Sequence, residues 1–237
     1  MCIIIHKPEG KFISRETLYN CYMGNRDGIG LLFSEQGELK IYKTLSYESF
    51  LKRYEKLEER ELLIHFRYAT HGTINVRNCH GFRLNKHLAF VHNGIISIDI
   101  PKGRDITDSE QFGNEYLKPL PKGFETNPAI KKLIENRIKG SKIALMDSSG
   151  KVTIYNKQDG ITEGGVWYSN LGFRSYKQPM WEYVSQWCKE DEEESIFWSD
   201  EKCSICGDVL TIREAKKKHK NGKKYCFSCE VEFRNQR

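Results

Sequence analysis

Over the first 170 residues, apolar and polar positions alternate in short runs, and the periods switch between two and three to four. Cys2 to His6 is a short apolar run that reads as a buried first strand. Ser14 to Met23 reads as a short helix, with Ser14 as its N-cap ahead of Glu16 and Thr17. Gly28 to Ser34, a Gln36-Gly37 turn and Leu39 to Thr44 predict a hairpin, followed by an amphipathic helix over Tyr47 to Glu59. Strands are predicted at Leu62 to Tyr68 and Leu88 to His92. Thr107, Asp108 and Ser109 offer caps for a helix over about 109–117. Asn127 and Pro128 supply a cap and first-turn proline for another, reaching about Ile138. Lys142 to Asp147 and Val152 to Asn156, joined at Ser149-Gly150, form a second hairpin, and Val166 to Ser169 a last strand.

Clustered strands with interspersed helices place the chain in the α+β class. Past about residue 178 the periodicity stops. Trp181, Trp187 and Trp198 flank an acidic run, and paired cysteines follow. The expected organisation is a main domain over 2–178, an acidic linker or peripheral helix over 179–201, and a small module over 202–237.

Composition narrows the class. Of 237 residues, 38% are hydrophobic and 19 are glycine, a globular balance that excludes wholesale disorder. No apolar run approaches the ~20 residues of a membrane helix. The first residues lack the basic flank of a secretory signal, so a cytoplasmic location is expected. The formal charge is +6. Residues 186–237 sum to zero, which hides a dipole: one basic and seven acidic residues over Lys189 to Glu201, then seven basic and one acidic over Arg213 to Lys224. The basic stretch is a weak nucleic-acid signal, since solvated loops share it.

Eight cysteines in a chain without a secretory signal argue against a disulfide framework. Cys203-x-x-Cys206 and Cys226-x-x-Cys229 are separated by 19 residues, the arrangement in which two thiolate turns supply four ligands to structural Zn2+. Gly207 eases the first turn, and a module of this size needs a metal to fold. His219 is an alternative ligand that four cysteines make unnecessary.

Cys2 follows the initiator methionine. Removal of Met1 would give one residue both a thiol and a free α-amine, with a reference pKa near ~8, able to take the thiol proton. Alone, Cys2 reads better as a small buried hydrophobe heading a strand than as a nucleophile. The wider context is His65-Phe-Arg-Tyr-Ala-Thr-His-Gly72, Phe90-Val-His-Asn-Gly-Ile-Ile96, Thr107-Asp-Ser-Glu110 and Asn25-Arg-Asp-Gly-Ile-Gly30. With these motifs in this order, the chain from Cys2 to about Ser169 resembles the class II glutamine amidotransferases, a branch of the N-terminal-nucleophile hydrolases.

The resemblance implies a four-layer α-β-β-α sandwich with Cys2 as nucleophile and its α-amine as proton shuttle. It implies an oxyanion hole from Asn93 and Gly94. Arg67 would hold the glutamine α-carboxylate beside a loop of Thr70, His71 and Gly72, and Asp108 the α-ammonium. Asp27 and Gly30 would form a structural turn near the nucleophile. The chemistry is coherent: a tetrahedral oxyanion needs two fixed donors, and a free amino acid needs one cation and one anion. Singly, each motif has a plainer reading. Arg67 and Asp108 make an ordinary ion pair, Asn93-Gly94 is a common hairpin turn, and Asp27-Gly28 is a simple turn. Asn78-Cys79-His80-Gly81-Phe82 resembles an Asn-x-His-Pro-Phe segment of the family with Gly81 in place of proline; Asn78 and His80 are expected to be scaffold. Cys21, Cys79 and Cys188 have no assigned role.

The implied activity is hydrolysis of the glutamine side-chain amide through a thioester, with ammonia passed to a separate synthetase or amidating partner. Two alternatives stand beside it: hydrolysis of another γ-glutamyl amide, and an inactive hydrolase fold that docks protein or nucleic acid through its zinc module.

Overall fold

The period-two segments assemble into two antiparallel sheets in the computed structural model, which describes residues 2–70, 72–101, 103–174, 198–205, 209–211, 215–217 and 222–225. The chain divides into two units, Met1–Ser175 and Tyr176–Arg237. In the first, a six-stranded sheet contains β1 (Ile3–Lys7), β2 (Ile29–Glu35), β3 (Glu38–Thr44), β4 (Leu62–Phe66), β9 (Ile161–Glu163) and β10 (Val166–Tyr168), in the order β3-β2-β4-β1-β10-β9. A four-stranded sheet holds β5 (Phe82–Asn85), β6 (Leu88–Asn93), β7 (Lys142–Asp147) and β8 (Val152–Tyr155) in sequential order.

Alternation along the strands decides what each face covers. Ile3 and Ile5 of β1 join Leu31, Ile64 and Phe66 in a cluster with Leu18 and Cys21 of α1 (Arg15–Met23) and Phe50 and Tyr54 of α2 (Tyr47–Glu55). Ile4 points the other way and packs with Leu32 and Leu63 against Ala89, Val91, Ala144 and Met146 of the second sheet. The far side of that sheet, with Phe90, Ile143 and Leu145, meets Phe112 of α3 (Asp108–Phe112) and Ile134 of α4 (Pro128–Arg137). Each isoleucine of β1 is fully buried, worth ~1.5–3 kcal/mol apiece, so the strand behind Cys2 is held on both faces.

Three of these four helices start at caps expected from the sequence, and Ser46 of α2 is a cap that was not. Ser14 accepts from Thr17 N, Ser46 from Ser49 N, Thr107 from Glu110 N, and Asn127 from Ala129 N and Ile130 N. The helix expected over 109–117 changes character midway: α3 ends at Phe112 and a π-helical turn runs from Gly113 to Leu117. Gly113 is the reason it lies so close to β6, because a Cβ there would stand 2.6 Å from the Phe90 ring. The helix over 47–59 stops at Glu55, and the strand over 62–68 leaves the ladder after Phe66. β5 and β9 were not evident from pattern: β5 buries only Phe82 and Leu84 between exposed Arg83 and Asn85, and β9 has three residues.

In the second unit, β11 (Trp198–Lys202) pairs antiparallel with β12 (Val209–Thr211) with an irregular register. β11 occupies the end of the segment read as a linker. Cys203, Leu210, Ala215 and Tyr225 form its small apolar cluster. Among the described residues, no helix is long and apolar enough to cross a membrane.

Candidate active site

Cys2 sits at the head of β1, between β4 and β10. Its Sγ accepts the Tyr68 N–H at 3.2 Å and lies 3.4 Å from the Tyr68 carbonyl, to which the thiol donates. Its own carbonyl accepts from Asn170 Nδ2 at 2.8 Å. Burial pushes the thiol pKa up, while the Tyr68 N–H and the nearby Arg67 guanidinium pull it back.

The strand end is tied to the second sheet through one hydroxyl. Ser169 Oγ accepts the Ile4 N–H at 2.8 Å and the Asn93 side-chain amide at 2.7 Å. Asn93 is buried at the end of β6. An amide nitrogen carries two hydrogens, so Ser169 takes one of the pair. Gly94, at φ +135, follows directly; it does not close a hairpin, and Ser141 fills the space a Cβ would need.

Arg67 is 2% exposed, and its guanidinium donates to the carbonyls of Thr73 (3.2 Å) and Gly72 (3.4 Å). Its backbone is clamped to the 27–28 turn: Asp27 N–H donates to Arg67 O at 3.0 Å, and Arg67 N–H to Gly28 O at 2.8 Å. Asp27 Oδ2 accepts the Ala69 N–H at 2.7 Å. The turn expected at 25–30 therefore holds the segment carrying Arg67 and Tyr68. Gly30 lies on β2 opposite His65, where the His80 carbonyl leaves no room for a side chain. Thr70 and Gly72 are exposed on the loop, and His71 lies outside the described residues.

Asp108 is the first residue of α3 and is 7% exposed. Its Oδ2 accepts the Ile96 N–H at 2.9 Å, and its Oδ1 accepts the Ser109 N–H at 2.8 Å. It thus fixes the chain just after Gly94. No ion pair joins Arg67 to Asp108 among the described residues, so the plainer reading of these two does not hold.

Three histidines form a buried support. The His65 and His80 rings stack at 3.9 Å, and His80 and His92 lie near-parallel at 6.3 Å. His65 Nε2 bonds the His92 carbonyl at 2.9 Å, His80 Nδ1 accepts the His92 N–H at 3.2 Å, and His92 Nδ1 meets Ser109 Oγ at 2.8 Å. Burial pulls their pKa values down, to about 3 for His65 and about 4 for His92, so the stack is neutral. His80 is scaffold, as its motif suggested, and so is Asn78, whose Nδ2 donates to Thr73 O and Asp105 Oδ1.

Neither a family model nor a curated protein sequence matches this chain. Several solved structures are similar to it. One is the glutamine phosphoribosylpyrophosphate amidotransferase from B. subtilis complexed with ADP and GMP: 14% identity, TM-score 0.44, covering 71% of this chain and 41% of its own. Another is a glutamine aminotransferase class-II domain protein from Silicibacter pomeroyi: 16% identity, TM-score 0.35, covering 62% of this chain and 73% of its own. The chain thus spans less than half the length of the first. At this similarity the chemistry of the site stands on its own geometry.

That geometry contains three residues that motif reading passed over. Ser169 and Asn170 anchor Cys2 and Asn93, yet in sequence they are two polar residues after a strand. Asp105 accepts from Thr73 N at 2.9 Å, Thr73 Oγ1 at 2.5 Å, Asn75 Nδ2 and Asn78 Nδ2, and so fastens the loop after Gly72. Its position three residues before Asp108 was the available clue.

In the second unit, Cys203 is buried. Cys206, Cys226 and Cys229 lie outside the described residues, among which no group of three or more potential ligands occurs.

Proposed function

We propose that this chain is the glutaminase component of a class II glutamine amidotransferase, with Cys2 as its nucleophile. The observation that carries the reading is the Ser169 bridge: one hydroxyl fixes the Asn93 amide against the strand that begins at Cys2. A nucleophile and an oxyanion donor must keep a set separation, and a buried shared acceptor supplies it. The three apolar clusters, helices with the first sheet, sheet with sheet, and second sheet with helices, support the α-β-β-α layering that goes with this chemistry.

In the proposed reaction Met1 is removed and the α-amine of Cys2 takes the thiol proton. The thiolate attacks the γ-carboxamide carbon of glutamine. The second N–H of the Asn93 amide and the Gly94 N–H stabilise the oxyanion. The carbon–nitrogen bond breaks, the ammonium returns its proton to the leaving nitrogen, and ammonia departs. Water then attacks the thioester, giving glutamate and the free thiol. Arg67 receives the α-carboxylate and Asp108 the α-ammonium, with Thr70, His71 and Gly72 lining the loop. Glutamine is the substrate, and a separate ammonia-accepting enzyme is the partner. On this reading the glutaminase spans about 2–178.

The same proposal assigns a structural Zn2+ to Cys203, Cys206, Cys226 and Cys229 in a module over 202–237. Ser204 N–H donates to the Lys224 carbonyl at 2.8 Å, and Lys224 N–H to Ser204 Oγ at 3.3 Å, which supports the reading by joining the residue after Cys203 to one that lies two positions before Cys226 in sequence. A metal there would replace part of the core that a module of this size cannot supply unaided. Elemental analysis should give one zinc per chain, lost in Cys203→Ser; a metal-free native protein refutes it.

The decisive assay is glutamate release from glutamine by protein whose mature N-terminus has been read by intact mass. Activity lost in Cys2→Ala supports the reading. An inert protein with a free Cys2 amine refutes it, and cleavage of a different γ-glutamyl amide alone transfers the site to that substrate.

A further inference from the structure

A cleft of about 160 Å3 opens in the first unit between the β3 and β5 edges and the α3–π turn, away from Cys2. Lys43, Arg77, Arg83 and Lys118 line it against one carboxylate, Glu110, a formal excess of three positive charges. Phe82 lies beneath, with the Lys43 ammonium 4.7 Å from its ring centre. The cations are held in place by neutral acceptors. Lys43 donates to the Arg77 carbonyl at 3.1 Å, Arg83 to the Leu39 carbonyl at 2.7 Å, and Lys118 to Asn114 Oδ1 at 2.6 Å. Arg77 alone is paired with the acid, at 3.1 Å from Glu110 Oε1. Burial draws the Lys43 pKa down against the opposing pull of Glu110.

We infer that this cleft is a second ligand site, for a small phosphate monoester. A carboxylate would leave most of the excess charge uncompensated, whereas a phosphate dianion offers three oxygens to arginine forks and ammonium groups. The volume lies below the ~300–1,000 Å3 of a drug-sized pocket, which suits a phosphate with a few carbons attached. The site also reaches the loop that follows Arg67. Arg77 Nη1 donates to the Asp105 carbonyl at 2.9 Å, and Asp105 holds Thr73, Asn75 and Asn78. A phosphate that competes with Glu110 for Arg77 therefore acts on residues 72–78.

NMR titration of the full chain with methyl phosphate tests the site, with dimethyl phosphate as the diester control for a nucleic-acid backbone. Saturable shifts confined to the cleft, stronger for the monoester, are expected. Arg83→Ala and Lys118→Ala should each weaken binding by about tenfold, the worth of one charge-assisted hydrogen bond, and Glu110→Gln should tighten it. Absent saturation, equal response to the diester, or binding indifferent to both alanine variants overturns the site. Amide exchange over 72–78 should change on saturation; an unchanged rate overturns the link to the loop. Cys2→Ala protein should bind methyl phosphate normally, so failure here and failure of the glutaminase reading are separately visible.

Discussion

Asn93 and Ser169 are joined by a 2.7 Å hydrogen bond across the two sheets, and Ser169 Oγ simultaneously accepts the N–H of Ile4, two residues from Cys2. Removing that hydroxyl leaves a fully buried backbone donor and a buried amide without their acceptor. Ser169→Ala should therefore cost about 1–3 kcal/mol of stability, read by denaturant unfolding. It should also lower kcat about tenfold to a hundredfold, short of the full loss of an oxyanion donor. Under the substrate-binding roles proposed for Arg67 and Asp108, which this substitution leaves untouched, KM should stay near its original value. A variant that loses stability but keeps kcat would separate Ser169 from the chemistry.

Gly94 and Gly30 should respond differently to alanine. At Gly94 the added Cβ overlaps the Ser141 side chain in a backbone conformation that disfavours any L-residue. At Gly30 it overlaps the His80 carbonyl, which is backbone and moves only with its chain. Each should lose about 2 kcal/mol or more. The folded fraction of Gly30→Ala should retain kcat, while Gly94→Ala should lose it through the displaced N–H. Thermal unfolding paired with active-site titration distinguishes the two.

How much of this was legible beforehand follows from what generates each feature. The two expected hairpins, three of the four caps and the buried β1 come from local periodicity and side-chain-to-backbone bonds, so the sequence carried them. The motif clusters around Arg67, Asn93 and Asp108 were visible because several residues of fixed type recur together. Ser169 was not, since its function comes from a contact spanning 165 residues to Ile4. The π turn at Gly113 was invisible for a similar reason: it arises from contact with Phe90 on another element. β5 was missed because two buried residues in four do not establish a period.

The histidine stack predicts acid sensitivity. His65, His80 and His92 are buried and neutral, with pKa values depressed below the ~6.5 of an unfolded histidine. Among the described residues, His65 Nδ1 and His92 Nε2 are buried without hydrogen-bond partners, and burial outweighs the pull of the Asp108 carboxylate on His92 and of the His92 carbonyl on His65. The unfolded chain binds more protons below pH 6.5, which favours unfolding as pH falls. Stability should hold above pH 6.5 and decline toward pH 4 by up to ~1.4 kcal/mol per unit for each histidine. His92→Gln should flatten the slope by about one proton even if it lowers the plateau. A stability profile flat between pH 6.5 and 4 would contradict a neutral stack.

Asp105 makes the loop after Gly72 an element with a defined resting position. Hydrogen bonds from the Thr73 hydroxyl and amide, followed by those of Asn78 and Asn75, hold its carboxyl pKa down to about 2. The support is thus fully present above the ordinary carboxylate pKa and is lost only as pH falls through about 2, so it is constant across the working range. Arg67 donates to the Thr73 carbonyl, so the loop position and the guanidinium position are one problem. With glutamine as the proposed substrate, Asp105→Ala should raise its KM about tenfold, in keeping with the loss of a charge-assisted contact, and leave kcat within about twofold. Asp105→Asn keeps one acceptor oxygen and should fall between. A purely structural role would lower the unfolding midpoint and leave KM unchanged, whereas a positioning role moves KM and speeds amide exchange over 72–78 in the native state.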